Sequence, residues 1–218
     1  SSPNGSYDKS RLVGFFGNVN YGYDNRYFLD LSFRTDGSSK FGRNSRFAPF
    51  WSVGVAWNVH KEAFWSGDEK SSLKLRASVG STGTTNFSST QALTTYNYDF
   101  SKIYNGVFGV SLAGYGNPEL KWQNTISYNV GVDMTLLKGL VTFNGDFYIK
   151  NTENLLLPLT VAPSTGFSSY VENIGKLRNT GIEGRLRLNL IRDTQRDLRW
   201  NVTLSAFHNK SKITKLSN

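Results

Sequence analysis

Hydrophobic and polar residues alternate with period two in segment after segment of this 218-residue chain, as expected of strands whose successive side chains point to opposite faces. Between Arg26 and Asp36, Tyr27, Leu29, Leu31 and Phe33 share one face, Asp30, Ser32 and Arg34 the other, and Phe28 is the misfit. Between Ser72 and Ser81, Leu73, Leu75, Ala77 and Val79 oppose Lys74, Arg76, Ser78 and Gly80. The run from Gln123 to Leu136 sets Ile126, Tyr128, Val130, Val132, Met134 and Leu136 against Thr125, Ser127, Asn129, Gly131, Asp133 and Thr135. Alternation continues through Val141, Phe143, Phe147 and Ile149, then Ile182, Leu186, Leu188 and Leu190, then Leu198, Trp200, Val202, Leu204 and Ala206. Arg11 to Tyr23 and Phe50 to Val59 fit less cleanly and bring the expected number of strands to about eight. No comparable stretch repeats with a helical period, so little helix is expected.

The connections alternate in length. Asp24-Asn25, Lys138-Gly139 and Arg192 to Asp197 are short; Gly37 to Ala48, Gly83 to Pro118 and Asn151 to Arg178 are long. His60 to Ser71 is intermediate and sits where a short one is due. Strands running up and down in order then place every short turn at one end and every long loop at the other, the arrangement of an outer-membrane barrel. Tyr21, Tyr23 and Tyr27 beside the first short turn, with Trp57 and Trp200 near strand ends on the apolar face, suit an interfacial girdle. Ordinary β-propensity also enriches such rings, and a soluble barrel or sandwich shows the same alternation with its apolar face turned inward.

Composition narrows the chemistry. The chain has no cysteine, which excludes disulfides, thiolate metal sites and cysteine nucleophiles. Its two histidines, His60 and His208, lack metal-ligand spacing. The net charge of +9 is spread among interleaved carboxylates, with local groups at Lys40, Arg43 and Arg46 and at Lys210, Lys212 and Lys215. Neither group carries a recognition helix or RNA-binding motif, so nucleic acid is not expected as a partner. Mean hydropathy is −0.39 and no apolar run approaches the ~20 residues of a membrane helix, which leaves a barrel open because only alternate strand residues face lipid. Small groups on the polar face, including Ser32, Ser52, Gly54, Ser78, Gly80, Ser127 and Gly131, do not fill a closed eight-stranded interior. A section of a wider barrel is expected. The start at Ser1 and the end at Lys215-Leu216-Ser217-Asn218, without a terminal aromatic, point to a processed or excised segment with strands expected to be missing at both ends.

Several segments resemble the SusC/RagA branch of TonB-linked outer-membrane transporters. Ser32 to Trp57, SFRTDGSSKFGRNSRFAPFWSVGVAW, resembles that family's strand, Asp-Gly-Ser-Ser loop and returning Ser-Val strand. Leu73 to Gly83, LKLRASVGSTG, is similar to the strand that follows. Asn117 to Gly131 resembles the Asn-Pro-x-Leu-x-Trp strand entry, and DFYIKNTENLLL (Asp146 to Leu157) and GFSSYVENIGKLRNTGIEG (Gly166 to Gly184) match Tyr-x-Lys-x-Thr and Asn-x-Gly-x-x-x-Asn-x-Gly-x-Glu. The resemblance implies an all-β, antiparallel up-and-down transmembrane segment of a barrel of about 22 strands, with residues 1–218 as a partial barrel domain lacking the plug. It further implies an outer-membrane location in Bacteroidota and import of oligosaccharides or peptides. The implied partners are a SusD-like surface lipoprotein acting as a lid, and the TonB complex through an N-terminal region outside this chain. No cofactor is implied.

Substrate contact, if this segment makes any, is expected from Phe87, Tyr96, Tyr98, Tyr104, Phe108 and Tyr115 in the largest connection, whose rings suit stacking on sugar faces or peptide side chains; packing of the loop against itself or the lid is the competing account. Lys40, Arg43 and Arg46 suit lipopolysaccharide phosphates or an acidic substrate, or simply solvation. Asp36-Gly37-Ser38-Ser39 reads as a turn rather than a catalytic serine, since Gly-x-Ser-x-Gly is absent and no histidine is near in sequence. Glu153, Glu172 and Glu183 are the carboxylates from which a glycosidase pair would have to come. Asn86-Phe87-Ser88 and Asn201-Val202-Thr203 match the glycosylation sequon, idle in a bacterial outer membrane. No catalytic or metal residue is assigned. A soluble β-sheet carbohydrate-binding module is the alternative to the importer, and a hydrolase comes third.

Overall fold

The computed structural model describes residues 11–39, 47–68, 70–84, 94–104, 107–117, 119–165, 169–193 and 198–216. Eight strands form one antiparallel sheet: β1 (Leu12–Tyr23), β2 (Tyr27–Ser38), β3 (Phe47–Asn58), β4 (Ser72–Thr84), β7 (Gln123–Leu136), β8 (Val141–Glu153), β11 (Lys176–Asp193) and β12 (Leu198–Lys215), in that spatial order. Two small hairpins, β5 (Thr95–Tyr104) with β6 (Val107–Gly114) and β9 (Leu156–Thr160) with β10 (Ser169–Asn173), lie within the connections from β4 to β7 and from β8 to β11. Helix among the described residues is limited to single 3-10 turns at Val59–Lys61, Leu137–Gly139 and Pro163–Thr165. The eight expected strands are therefore all present and pair with their chain neighbours, the hairpins being bypassed.

The tight turns are set by backbone chemistry. Asp24 and Asn25 both have positive φ, 50° and 52°, the geometry of a two-residue hairpin turn whose twist matches its strands. Leu137, Lys138 and Gly139 take φ of 53°, 55° and 88° at the next short turn. At the opposite end β2 runs on through Asp36, Gly37 and Ser38, so the expected turn there is strand. Gly37 permits this, because a Cβ would lie 2.5 Å from the Phe47 ring across the ladder.

Register carries the alternation across the sheet. Leu31, Val53, Val79 and Tyr128 are successive cross-strand neighbours on one face, and Ser32, Ser52, Gly80 and Ser127 on the other. The apolar side chains are not packed against a second layer: Val19 is 60%, Val130 59% and Leu204 59% exposed. The buried hydrophobics among the described residues, Val59, Leu120, Trp122 and Ile174, lie at the two ends of the sheet. A soluble sandwich needs its apolar face interdigitated in a dry core. Here that face is left for hydrocarbon, the solvent that makes exposed leucine and valine favourable.

Candidate functional site

The polar face holds an ionic cluster spanning three strands. Arg76 on β4 donates to both carboxylate oxygens of Asp133 on β7, at 2.7 and 3.1 Å, and also reaches Asp146 on β8, with Nη2 3.1 Å from Oδ1 and 3.3 Å from Oδ2. The intervening strand places Gly131 between Arg76 and Asp146. A Cβ there would come within 2.5 Å of Asp146 Oδ1 and 2.7 Å of Arg76 Nη2, so glycine lets the guanidinium cross. Asn144 Nδ2 completes Asp133 at 2.8 Å. Beside the cluster, Asn144, Asp146, Glu183, Arg185, Ser205 and Phe207 line a hollow of about 490 Å³. By contrast, the groove of about 550 Å³ lined by Tyr21, Leu29, Val55, Leu75 and Val130 belongs to the apolar face. Phe28, the misfit in the alternation, sits on the polar face under Lys74, whose Nζ is 5.6 Å from the ring centroid, a cation–π contact that gives an aromatic a reason to point inward.

The long-loop end is tied together by two short motifs. Asn173 Nδ2 donates to Lys121 O at 2.8 Å and Asn154 O at 3.0 Å, while its Oδ1 accepts from Lys121 N at 2.7 Å. Asn117 turns its own segment by accepting from Glu119 N at 2.9 Å and donates to Val171 O at 3.3 Å. Under these bonds Leu120 is fully buried beside buried Trp122 and Ile174, with Trp122 edge-on to Phe50 at 5.6 Å. Gly175 follows at φ +90° with Lys215 O only 3.0 Å from where a Cβ would stand, so no other residue fits the turn without strain. The Asn-Pro-Glu-Leu-Lys-Trp and Asn-Ile-Gly stretches are thus two halves of one clamp.

Of the rings expected to contact substrate, Phe87 lies outside the described residues, as do Lys40, Arg43 and Arg46. Tyr96, Tyr98 and Tyr104 fall on β5, paired with Leu112, Val110 and Val107, and Phe108 on β6 pairs with Ile103. Tyr96 is 61% exposed. Tyr115 packs edge-on against Tyr170 at 6.3 Å, and the Tyr170 hydroxyl donates to Glu172 at 2.9 Å, a bond that raises its pKa. Tyr115 has this ring contact and is still 52% exposed, so both Tyr96 and Tyr115 present ring surface. The three glutamates are not brought together: Glu153 pairs with Lys176 at 2.6 Å on the apolar-face side, Glu172 serves Tyr170, and Glu183 lies on the polar face. His60 is structural, its Nδ1 3.0 Å from Leu73 O. Sequence reasoning missed Asn173, Asn117 and Leu120 as a junction; their motifs were visible, but the first was read only as a strand entry and the second only as a family pattern.

At the short-turn end Glu62 gathers the girdle. It accepts from the Tyr27 hydroxyl at 2.6 Å and the Trp57 indole N–H at 2.9 Å, beneath stacked Tyr27 and Trp57 rings 6.4 Å apart. Those bonds, the Tyr27 one first, hold the Glu62 carboxyl below its usual range despite desolvation, with Arg26 adding to the effect. Asp68 is likewise low: desolvation opposes this, but the Ser71 hydroxyl and the backbone N–H groups of Lys70, Lys138 and Ser71 outweigh it. A carboxyl with a depressed folded pKa stabilises above its unfolded value, about 4.3 for glutamate, and loses that contribution as pH falls through the folded value. Acid titration of the folded protein is expected to shift the Trp57 indole N–H resonance with a midpoint below pH ~4.3, and Glu62→Gln to abolish that transition.

Comparison with known proteins gives a consistent result. The family model described as TonB dependent receptor-like, beta-barrel, matches residues 1–215. TonB-dependent receptor P3 of Formosa agariphila is 34% identical over 98% of this chain and 21% of its own length, and SusC of Bacteroides thetaiotaomicron is 32% identical over 96% and 21%. The RagAB peptide importer in its closed-closed state superposes with a TM-score of 0.86 at 28% identity, over 95% of this chain and 22% of that one. The siderophore receptor PirA of Pseudomonas aeruginosa, at 14% identity and a TM-score of 0.60, shares the fold. The chain spans about a fifth of the length of these curated relatives.

Proposed function

Because this chain belongs to the TonB-dependent receptor β-barrel family, on its SusC/RagA side, and so lies in the outer membrane, we propose that it forms part of the wall of a nutrient importer for peptides or oligosaccharides. The observation that carries this reading is the division of the sheet: one face apolar and unpacked, the other carrying the Arg76–Asp133–Asp146 ionic cluster and, beside it, a hollow lined by Asp146, Glu183 and Arg185. A wall of that kind passes polar solutes and makes no bonds. Transport needs a plug and energy input, which this reading assigns to an N-terminal region outside the chain that engages the TonB complex. The clamped long-loop end is the surface over which a SusD-like lipoprotein would close.

The solved relative named as a peptide importer, RagAB, favours peptide over glycan, and the experiment distinguishes them. Disrupting the parent gene is expected to abolish uptake of one labelled pool, mixed peptides or oligosaccharides; undiminished uptake of both would overturn the proposal. Within the importer, Tyr96→Ala is expected to weaken uptake several-fold, on the order of the ~1 kcal/mol of one ring contact, with KM rising and heat-modifiable gel migration unchanged.

A further inference from the structure

The hollow beside the ionic cluster holds two opposite charges that the wall itself does not pair. Arg76 is shared between Asp133 and Asp146, so one guanidinium serves two carboxylates and the trio keeps a negative charge in excess. Glu183 stands directly across from Asp146, and carboxylates so opposed, with Cβ atoms about 5 Å apart, repel. One step along the same face, Arg185 lies between the neutral Asn144 on β8 and Ser205 on β12. Glu183 and Arg185 are both exposed, and among the described residues neither forms an ion pair. An acidic row and a basic row therefore run side by side, about 7 Å apart along the strands, on the wall of a cavity of about 490 Å³.

The surroundings say what completes the two rows. Among the described residues no three metal-ligating side chains converge, and hard metal ions take about six or more oxygen ligands, so an organic cation suits the acidic row better. Phe207, across the ladder from Glu183 on the polar face, offers its ring to the stem or head of an ammonium group. Arg185 offers a planar fork to a carboxylate, with the Asn144 amide and the Ser205 hydroxyl as neighbouring donors. An extended peptide supplies both groups at this spacing, because its side chains at i and i+2 share one side and stand about 7 Å apart. A neutral oligosaccharide satisfies neither row. We propose that this hollow is a transit subsite for peptides carrying a cationic and an acidic side chain two residues apart. The site rests on the importer reading and names the class of substrate that the wall favours.

The test measures the part of labelled-peptide uptake that disappears when the parent gene is disrupted. Three blocked peptides of equal length differ only at the centre: Lys-Ala-Asp, its neutral counterpart Gln-Ala-Asn, and Ala-Lys-Asp, whose charges point to opposite sides of an extended chain. The KM for the Lys-Ala-Asp peptide is expected to lie about tenfold below that for the neutral one, the effect of two exposed ion pairs. Glu183→Gln combined with Arg185→Gln should bring that ratio close to one while heat-modifiable migration is retained. Arg187→Gln, the next polar-face position on β11 toward the short turn, should keep the parent's ratio, and added salt should lower it. Equal KM for the charged and neutral peptides in the parent would overturn the subsite, as would a double variant that keeps the ratio. So would an Ala-Lys-Asp peptide taken up as well as Lys-Ala-Asp, which would assign the preference to general charge steering. A double variant that slows every peptide equally would assign the hollow to seating the plug. Gene-dependent uptake of oligosaccharides alone would remove the subsite and leave the importer reading standing.

Discussion

Val19→Lys is expected to destabilise the membrane-embedded barrel by about 2–4 kcal/mol, and Asn18→Lys, its neighbour on β1, by nearly nothing. Val19 pairs with Leu31 on the apolar face and Asn18 with Ser32 on the polar face. Four residues separate Val19 from Tyr23 in the short-turn girdle, about 13 Å along the strand and about 10 Å of depth once the strand tilt is allowed for, near the middle of a band about 25 Å tall. Both positions are exposed in the sheet. A soluble β-sheet would therefore tolerate both lysines alike, and only hydrocarbon distinguishes them. Unfolding of the parent protein in lipid vesicles by denaturant measures the difference, and loss of the heat-modifiable gel shift in Val19→Lys alone is the simpler readout. Equal stability of the two variants would mean that the apolar face is covered by something other than lipid.

The strands of the main sheet were legible because each carries a run of alternating apolar residues, and β7 has the bounds that alternation predicts, Gln123 to Leu136. The pattern stops where the apolar band stops. β11 and β12 extend well past it, from Lys176 and to Lys215, through segments where the lipid-side positions Lys176, Arg178, Thr180, Lys210 and Lys212 are polar and the apolar Leu177, Phe207 and Ile213 fall on the other face, so the alternation that marks the rest of each strand breaks off. The β5/β6 and β9/β10 hairpins were likewise hidden inside connections read as loops. Site residues are harder again because their partners are remote. Arg76 and Asp146 are 70 residues apart, Lys121 and Asn173 52. Asp133 and Gly131 read alike as lumen-facing positions, and nothing local says that the glycine exists so that an arginine can reach over it. Rings were sought as substrate contacts in the largest loop, yet Tyr115 is engaged with Tyr170 from a different connection. That pairing is a property of the fold and not of either segment.

The clamp at the long-loop end gives the second large effect. Asn173→Ala removes a side chain that makes three hydrogen bonds to backbone, two to Lys121 and one to Asn154. The net worth of such bonds is about 1 kcal/mol each, and the freed groups of Lys121 flank buried Leu120 and Trp122, where incomplete pairing is expensive. A loss of about 3 kcal/mol in docking the two connections is therefore expected. The transmembrane strands keep their own ladders, so the variant should still insert and still show heat-modifiable migration. Hydrogen exchange at Lys121 and in β9/β10 should speed by on the order of a hundredfold, as that free energy implies, and the loop should become open to protease at the long-loop end. Asn173→Asp keeps the acceptor for Lys121 N while losing both donors, and should fall between. If the exchange rates of Asn173→Ala match those of the parent, the two motifs are not joined through this side chain, and burial of Leu120 and Trp122 alone holds the loops together.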